Sequence, residues 1–301
     1  MTAWHPDIQQ GWQIGLALIA VLVLFATGIS LLAVLNPISI LTFLLGLVSL
    51  TALVGAVLVG YWLWGLLHAS YAMDRNTLVI RWGNYERQIP LGAVQTVCSG
   101  EDLTDIRLRQ TIRWPGHYFG CGAAPQTGPI HFYATAPLAE QIIICTSELA
   151  VAISPARREE FLAALAERME MGTTQDVGYH SLRPAFLDWG IWQDRLAITF
   201  LGSSLLLLIL LAGLLSWRYP TLPSETIFKL SATGQPLLVA PPSRLAYLGL
   251  LGIIFTLLNG GLGFLFYRRR PMVSYFFWMS LLLLQASLWV AVLTILFNNT
   301  G

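Results

Sequence analysis

Long stretches without a charged side chain constrain this chain more than any other feature of its sequence. A helix needs about 20 apolar residues to cross the hydrocarbon core of a bilayer. Asp, Glu, Lys and Arg are all missing from residues 8–73, 196–217, 245–267 and 271–301. The first stretch is long enough for two such helices and a turn, and each of the others holds one. The sequence therefore predicts five transmembrane helices.

The turn inside the first stretch is predicted at Asn36 and Pro37. Proline lacks the amide that continues a helix, and it disfavours helical geometry in the residue before it. The first two helices are therefore expected at about residues 12–35 and 38–68. Together they form a transmembrane hairpin within residues 1–69.

The composition agrees with a membrane protein. Only 11% of the residues are charged and 55% are hydrophobic, whereas soluble domains have about 25% charged residues. The net charge of +1 argues against general nucleic-acid binding, which needs a strongly basic surface. Three cysteines are too few and odd in number for a disulfide framework.

The orientation follows from the helix count and the positive charges. A hairpin of two helices places the N-terminus and residues 70–195 on the same side as the short loop Arg268, Arg269 and Arg270. Clustered arginines in a short loop mark the cytoplasmic side. We therefore expect a multi-pass protein of the cytoplasmic membrane. Its 218–244 loop and C-terminus would be external, within a three-helix domain at residues 196–301.

Aromatic and polar side chains mark candidate positions at the membrane. Trp62, Trp64 and Trp217 lie near predicted helix ends, where aromatic side chains anchor the interface. Within residues 176–195, Trp189 and Trp192 are spaced as on an amphipathic interfacial helix, although a loop containing two tryptophans is the alternative. Asn259 and Gln285 are the main polar groups deep in the last two spans, where they are expected to form interhelical contacts.

Residues 70–175 have a different pattern, with short β-like runs. Strands are predicted at residues 77–82, 85–89, 93–98, 130–134, 141–146 and 149–153. Gly83 and Asn84 form a hairpin turn between the first two. Ser154 and Pro155 predict the start of an amphipathic helix. The expected fold is a β barrel or sandwich with a C-terminal helix, inserted on the cytoplasmic side between helices two and three.

Three segments carry a resemblance to a known family. They are YAMDRNTLVIRWGNYERQIPLGAVQTV, WPGHYFG and GPIHFYATAPLAEQIIICTSELAVAISPARREEFLAAL. Over about residues 70–170 the chain resembles bacterial pleckstrin-homology-like (PH-like) domains attached to membrane helices. The resemblance implies a fold of seven strands and one helix.

A second, shorter resemblance lies in the C-terminal part. YPTLPSETIFKLSATGQP, followed by two spans, resembles a bacterial membrane domain of unknown function, some members of which are toxin-immunity proteins. The histidine of that family's pattern is absent here, and Lys229 or Leu230 stands near its place. No role of that histidine is carried over.

The sequence has no motif that predicts catalysis or a cofactor. A nucleophile elbow, a phosphate-binding loop, a dinucleotide fingerprint and a zinc-protease motif are all missing. His117, Cys121, His131 and Cys145 were considered as metal ligands, but zinc sites favour two close ligand pairs and only one is present. The glycine-rich segment 114–129 is expected to form a long loop between strands. We expect no enzyme, no metal and no cofactor.

Charge also bears on lipid binding. Residues 74–195 contain eleven basic and fourteen acidic side chains, so the segment lacks the bulk attraction to anionic lipids of about 1 kcal/mol per basic residue. Arg107, Arg109 and Arg113 could form a local patch, or could simply alternate along a strand.

Three functions are therefore considered. The first is a non-enzymatic membrane protein whose PH-like domain binds another protein, or a second copy of itself, at the inner membrane surface. The second is a small transporter or immunity-type membrane factor regulated by that domain. The third is sensing of lipid headgroups.

Overall fold

The computed structural model describes residues 2–174, 178–182, 190–230 and 235–299. These residues form the helices α1 (Gln9–Leu35), α2 (Ile40–Leu67), α3 (Arg158–Met171), α4 (Arg195–Arg218), α5 (Leu245–Tyr267) and α6 (Pro271–Phe297). The strands are β1 (Thr2–Trp4), β2 (Ser70–Met73), β3 (Thr77–Trp82), β4 (Tyr85–Pro90), β5 (Val94–Ser99), β6 (Arg107–Trp114), β7 (His117–Ala124), β8 (Gly128–Ala134), β9 (Ile142–Thr146), β10 (Ala150–Ile153), β11 (His180–Leu182), β12 (Thr226–Leu230) and β13 (Pro236–Ala240). The chain divides into two compact units, Met1–Phe25 with Ala52–Pro184 and Ala26–Thr51 with Ala185–Gly301.

Five of the helices, all except α3, are long and apolar enough to cross a membrane. The five predicted spans are thus confirmed, with ends that differ from the predicted ones by only a few residues. The turn after α1 satisfies its own polar groups, as a helix end requires. The Asn36 side chain donates to the Leu32 carbonyl at 2.7 Å.

The first unit contains two β-sheets. The smaller has the strand order β1-β2-β3-β4-β11, and every neighbouring pair in it is antiparallel. The larger has the order β5-β9-β10-β8-β7-β6, in which only β10 and β8 run parallel. With α3, these sheets form the inserted β domain that the sequence predicted.

The main hydrophobic core lies between the two sheets and extends into the transmembrane hairpin. Leu63 and Leu66 of α2 belong to it, as does Trp4 of β1. The ring of Trp4 meets that of Phe161 in α3 edge to face, with centroids 5.3 Å apart. The β domain is therefore built together with the ends of α1 and α2, because those ends supply part of its core.

The glycine-rich segment forms strand β7, so the loop expected at residues 114–129 is wrong. The glycines are needed because β7 lies very close to β6. Gly120 has φ of +141°, and a Cβ there would lie 2.1 Å from the Gln110 carbonyl oxygen. A Cβ on Gly122 would lie 2.7 Å from the Arg107 carbonyl oxygen. Glycine content here permits strand pairing and does not mark a loop.

One further local expectation differs from the structure, and a second, the amphipathic segment 176–195, is described only in part and stays a prediction. The hydroxyl of Ser154 does not cap α3, which begins at Arg158; it accepts from the Thr135 amide at 2.7 Å. Of the predicted amphipathic segment 176–195, residues 180–182 form strand β11 and residues 190–192 form a short 3₁₀ turn. Trp189 lies outside the described residues.

In the second unit, α4, α5 and α6 pack against one another. Trp278 of α6 is fully buried, and a Cβ on Gly263 of α5 would lie 2.0 Å from its Nε1. The connection between α4 and α5 contains the hairpin β12–β13. The side chain of Asn299, which follows α6, makes two hydrogen bonds of 2.9 Å to Ile227. Its Oδ1 accepts from the Ile227 amide, and its Nδ2 donates to the Ile227 carbonyl.

Candidate functional site

The turn between β6 and β7 lies directly against the first turns of α1. The indole Nε1 of Trp114 donates to the Gly11 carbonyl at 3.0 Å. Gly116 has φ of +82°, and a Cβ there would lie 2.3 Å from the Gly11 amide nitrogen. Only glycine permits so close an approach at this backbone geometry. The end of β6 is therefore fixed where α1 begins.

An aromatic cluster fills this end of the β domain. The ring of His117 stacks on that of Trp114, with centroids 4.0 Å apart and planes 11° from parallel. The edge of Trp82 meets His117 at 5.7 Å, and Phe119 stacks on Trp82 at 6.1 Å. Tyr85 adds a T-shaped contact to Phe119 at 4.9 Å. Such contacts stabilise a core beyond the area they bury.

His117 is a neutral member of this cluster. Burial, which removes water from around the charged form of the ring, lowers its pKa to about 4. Its side chain is fully buried. At neutral pH His117 therefore acts as an aromatic packing residue and carries no charge.

We expect the free energy of unfolding to fall as the pH drops from about 6.5 to 4. The unfolded chain protonates His117 near the ordinary pKa of 6.5, while the folded chain keeps it neutral down to about 4. The stability contribution is complete above this window and is lost within it, by roughly 3 kcal/mol. Thermal unfolding in detergent at several pH values measures the effect. His117→Phe should lose less stability over the window, and an equal loss in both proteins would contradict the assignment.

A polar cavity of about 400 Å³ opens beside the same junction. Its polar lining includes Asp7, Gln10, Thr135, Glu140, Ser154 and Arg158. The Arg158 guanidinium donates to the Glu140 carbonyl and, at 3.2 Å, to the Ser99 hydroxyl. The cavity therefore presents one fixed cation and two carboxylates just before α1.

The far edge of the larger sheet is β6, which ends at this junction. It is the last strand in the sheet order, so among the described residues only its β7 side pairs with another strand. Arg107, Arg109 and Arg113 are all exposed on it. In the described parts of the chain, none of the three has a carboxylate oxygen within 4.0 Å. A bulge falls between Leu108 and Gln110.

The four side chains considered for metal binding do not converge. Cys121 and His131 lie opposite each other on β7 and β8, with Sγ and Nδ1 3.2 Å apart. His117 is in the aromatic cluster, and Cys145 is a neighbour of Cys98. Burial, together with the nearby Cys145, raises the pKa of the Cys98 thiol to about 11. Over residues 2–174, 178–182, 190–230 and 235–299, no three His, Cys, Asp or Glu side chains group as metal ligands.

The predicted interface residues lie at helix ends. Trp64 is exposed near the end of α2 and packs on the His68 ring at 4.7 Å, while Trp62 is half-buried. Trp192 and Trp217 are exposed before and at the end of α4. Arg268, Arg269 and Arg270 are exposed in the turn between α5 and α6.

The two predicted intramembrane polar residues make different contacts. Gln285 of α6 is fully buried, and its Nε2 donates to Thr256 Oγ1 of α5 at 3.0 Å. Asn259 of α5 donates to the Phe255 carbonyl of its own helix at 3.2 Å. Gln285 thus links two helices, while the bond of Asn259 is local.

A polar junction in the second unit was not predicted from the sequence. Asp194 caps α4 by accepting from the amides of Leu196 at 3.0 Å and Ala197 at 3.2 Å. Its Oδ2 also accepts from the hydroxyls of Tyr275 and, at 2.8 Å, Tyr267. These bonds, that of Tyr275 foremost, lower the pKa of Asp194. An aspartate just before an uncharged stretch is a recognisable signal for a helix cap. No sequence pattern, however, indicates that the two tyrosines contact it.

Comparison with known proteins agrees with the fold of the first unit. Residues 69–169 match the sequence model of the family described as Bacterial PH domain. No match was found among curated proteins or among solved structures. The chain is therefore a membrane protein of five long apolar helices that carries, between the second and third of them, a domain similar to bacterial PH domains.

Proposed function

We propose that this protein is a non-enzymatic membrane protein whose PH-like domain binds an acidic, extended segment of another protein along β6. We place the β domain on the cytoplasmic side, because the helix count puts it on the side of Arg268, Arg269 and Arg270. The observation that carries the proposal is the eight-residue edge strand β6, one side of which pairs with no strand of the described residues.

An exposed sheet edge binds an extended segment through main-chain hydrogen bonds, and neighbouring side chains supply specificity. The charge on this edge favours an acidic partner. Arg107, Arg109 and Arg113 are exposed, without a carboxylate neighbour in the described part of the protein. Because the 74–195 segment has more acidic than basic residues, the positive charge along β6 is local and is not part of a general basic surface.

The position of β6 also supports this role. Its last residue, Trp114, donates a hydrogen bond to the Gly11 carbonyl in the first turns of α1. One end of the edge strand is therefore attached to this membrane helix. The domain core contains Leu63 and Leu66 of α2, so the domain shares its core with this helix. A partner bound on β6 would be held at a fixed position near the bilayer.

Site-specific photo-crosslinking in cells that naturally produce the protein tests the proposal. A photoreactive amino acid replaces Gln110, which is exposed on β6, or Glu148, which is exposed elsewhere in the domain. We expect an adduct at position 110 that is absent at 148 and is lost when Arg107→Glu and Arg113→Glu are combined.

The matched control combines Arg75→Glu with Arg157→Glu, which changes the charge equally at exposed positions away from β6. It should leave the adduct intact. Equal adducts at positions 110 and 148, or an adduct indifferent to both charge reversals, would contradict the proposal. In that case the arginines and the bulge only protect the edge against aggregation, as charged edge residues commonly do.

Binding of lipid headgroups is a second candidate, favoured by the polar cavity beside α1. In this proposal Arg158 binds the phosphate of a lipid headgroup, and Asp7 or Glu140 binds its amine. The lining therefore suits a zwitterionic headgroup. A small transporter or immunity-type factor is the remaining alternative. Replacing Asn259 and Gln285 by leucine would impair transport, while a binding protein would tolerate the change if its helices still packed.

A further inference from the structure

Arg87 is a buried cation in the interior of the β domain. It lies in the middle of β4, opposite Ile80 of β3 and Ser181 of β11. Its residue exposure is 7%. The guanidinium carbon lies 6.0 Å from the centroid of the Tyr133 ring, which belongs to the core between the sheets. The side chain therefore extends into the domain and not towards solvent.

The guanidinium lacks the partners that a buried charge needs. Nε and Nη1 are both buried without a hydrogen-bond partner, and within the described residues no carboxylate oxygen comes within 4.0 Å of Arg87. Arginine cannot release its proton to avoid the cost. The cation–π contact with Tyr133 offsets only part of the cost of burying an uncompensated charge. Among the described residues, no carboxylate therefore compensates the charge of Arg87.

A second buried donor faces the same place. The hydroxyl oxygen of Tyr179 is buried and has no hydrogen-bond partner among the described residues, and its ring packs on the main core. Ser181 pairs with Arg87, and residues two apart on a strand share a face. Tyr179 directly precedes β11, so continuing the alternation of that strand places its side chain on the same side of the sheet as Arg87.

We propose that Arg87 and Tyr179 form an interior binding site for an oxyanion, a carboxylate or phosphate group. A guanidinium offers parallel N–H donors that match two oxygens of such a group, and the phenol supplies a further donor. The site lies next to β11, an edge strand of three exposed residues, and we place the entry of the ligand at this edge. This site is separate from the β6 edge and does not depend on it.

Thermal unfolding of the full-length protein in detergent tests the site. The probes are sodium phosphate, sodium acetate and phosphatidic acid in mixed micelles, each compared with sodium chloride at equal ionic strength. We expect at least one oxyanion to raise the Tm above the chloride value. A shift with phosphate or acetate indicates a soluble ligand, and a shift with phosphatidic acid alone indicates a lipid.

Arg87→Met should abolish the oxyanion shift, and Tyr179→Phe should weaken the apparent affinity at least tenfold. Arg75→Met, at an exposed arginine, should keep the shift. Without oxyanion, Arg87→Met should be no less stable than the wild type, because it removes an unpaired buried charge. The proposal is overturned if no oxyanion shifts the wild type beyond chloride, or if the shift persists in Tyr179→Phe and in Arg87→Met. Should Arg87→Met fail to fold, Tyr179→Phe decides alone.

Discussion

Gly116→Ala is expected to destabilise the protein by about 2–5 kcal/mol, whereas Gly128→Ala should cost only about 1–2 kcal/mol. Both glycines have positive φ, +82° and +71°, so alanine is strained at either position. They differ in their surroundings. A Cβ at 116 would lie 2.3 Å from the Gly11 amide nitrogen, while a Cβ at 128 meets nothing within 4 Å. The extra cost at 116 is that of overpacking, about 1–3 kcal/mol.

Denaturant unfolding of the detergent-solubilised protein, followed by tryptophan fluorescence, measures the difference between the two variants. Gly11→Ala supplies a reciprocal test. Alanine favours a helix over glycine by about 1 kcal/mol, yet a Cβ on Gly11 would lie 2.1 Å from the Gly116 carbonyl oxygen. We therefore expect Gly11→Ala to be less stable than the wild type, although alanine has the higher helix propensity. Equal effects at 116 and 128, with a stabilised Gly11→Ala, would show that α1 and the β6–β7 turn do not touch.

Asp194→Ala should destabilise the second unit by about 3 kcal/mol or more. The variant loses the cap of α4, worth about 1 kcal/mol, and leaves the hydroxyls of Tyr267 and Tyr275 without their charged acceptor. Hydrogen bonds to charged groups contribute about 1.5–3 kcal/mol each. Removing the aspartate therefore affects three helices at once, since the tyrosines belong to α5 and α6.

Asp194→Asn is the matched control, because asparagine caps helices as well as aspartate does but carries no charge. The stability of Asp194→Asn should lie between that of the wild type and that of Asp194→Ala. Tyr275→Phe should be destabilised less than Asp194→Ala. Since the pKa of Asp194 is lowered in the folded protein, its contribution is complete above the unfolded pKa and fades as acid protonates it. If the thermal unfolding temperatures of Asp194→Ala and the wild type were the same, the junction would have no structural role.

The membrane helices and several strands could be predicted from the sequence because their signals are local. A charge-free stretch ends where lipid ends, which is why the spans agree with α1, α2 and α4–α6. Strands β3 and β4 flank Gly83, whose φ of +59° suits the predicted turn. Strands β8, β9 and β10 were likewise predicted, from short runs of mostly apolar residues.

The missed elements depend on partners far along the chain. Strand β1 has three residues and no alternating pattern of its own; it exists because Trp4 packs on Phe161 and pairs with Tyr71. Strand β7 is rich in glycine, which indicates a loop unless the close approach of β6 is known. Ser154 precedes a helix in the sequence, but its hydroxyl is held by the end of β8.

The candidate sites were only partly visible for the same reason. Arg107, Arg109 and Arg113 could be recognised as a possible patch, while the unpaired side of β6 follows only from the sheet order. The burial of His117 and Arg87 has no sequence signal, because a polar side chain in a strand is normally assigned to the solvent face. Such residues become informative only when the structure shows what surrounds them.

Hydrogen exchange of the full-length protein in lipid nanodiscs tests most directly whether the β domain is built together with the first membrane helices. Chain termini normally exchange within seconds, since they are the least ordered part of a domain. Pairing of β1 with β2 predicts that a peptide covering residues 2–5 exchanges within about tenfold of the rate of a peptide from β3. Complete exchange of residues 2–5 at the earliest time point, with β3 still protected, would contradict this account.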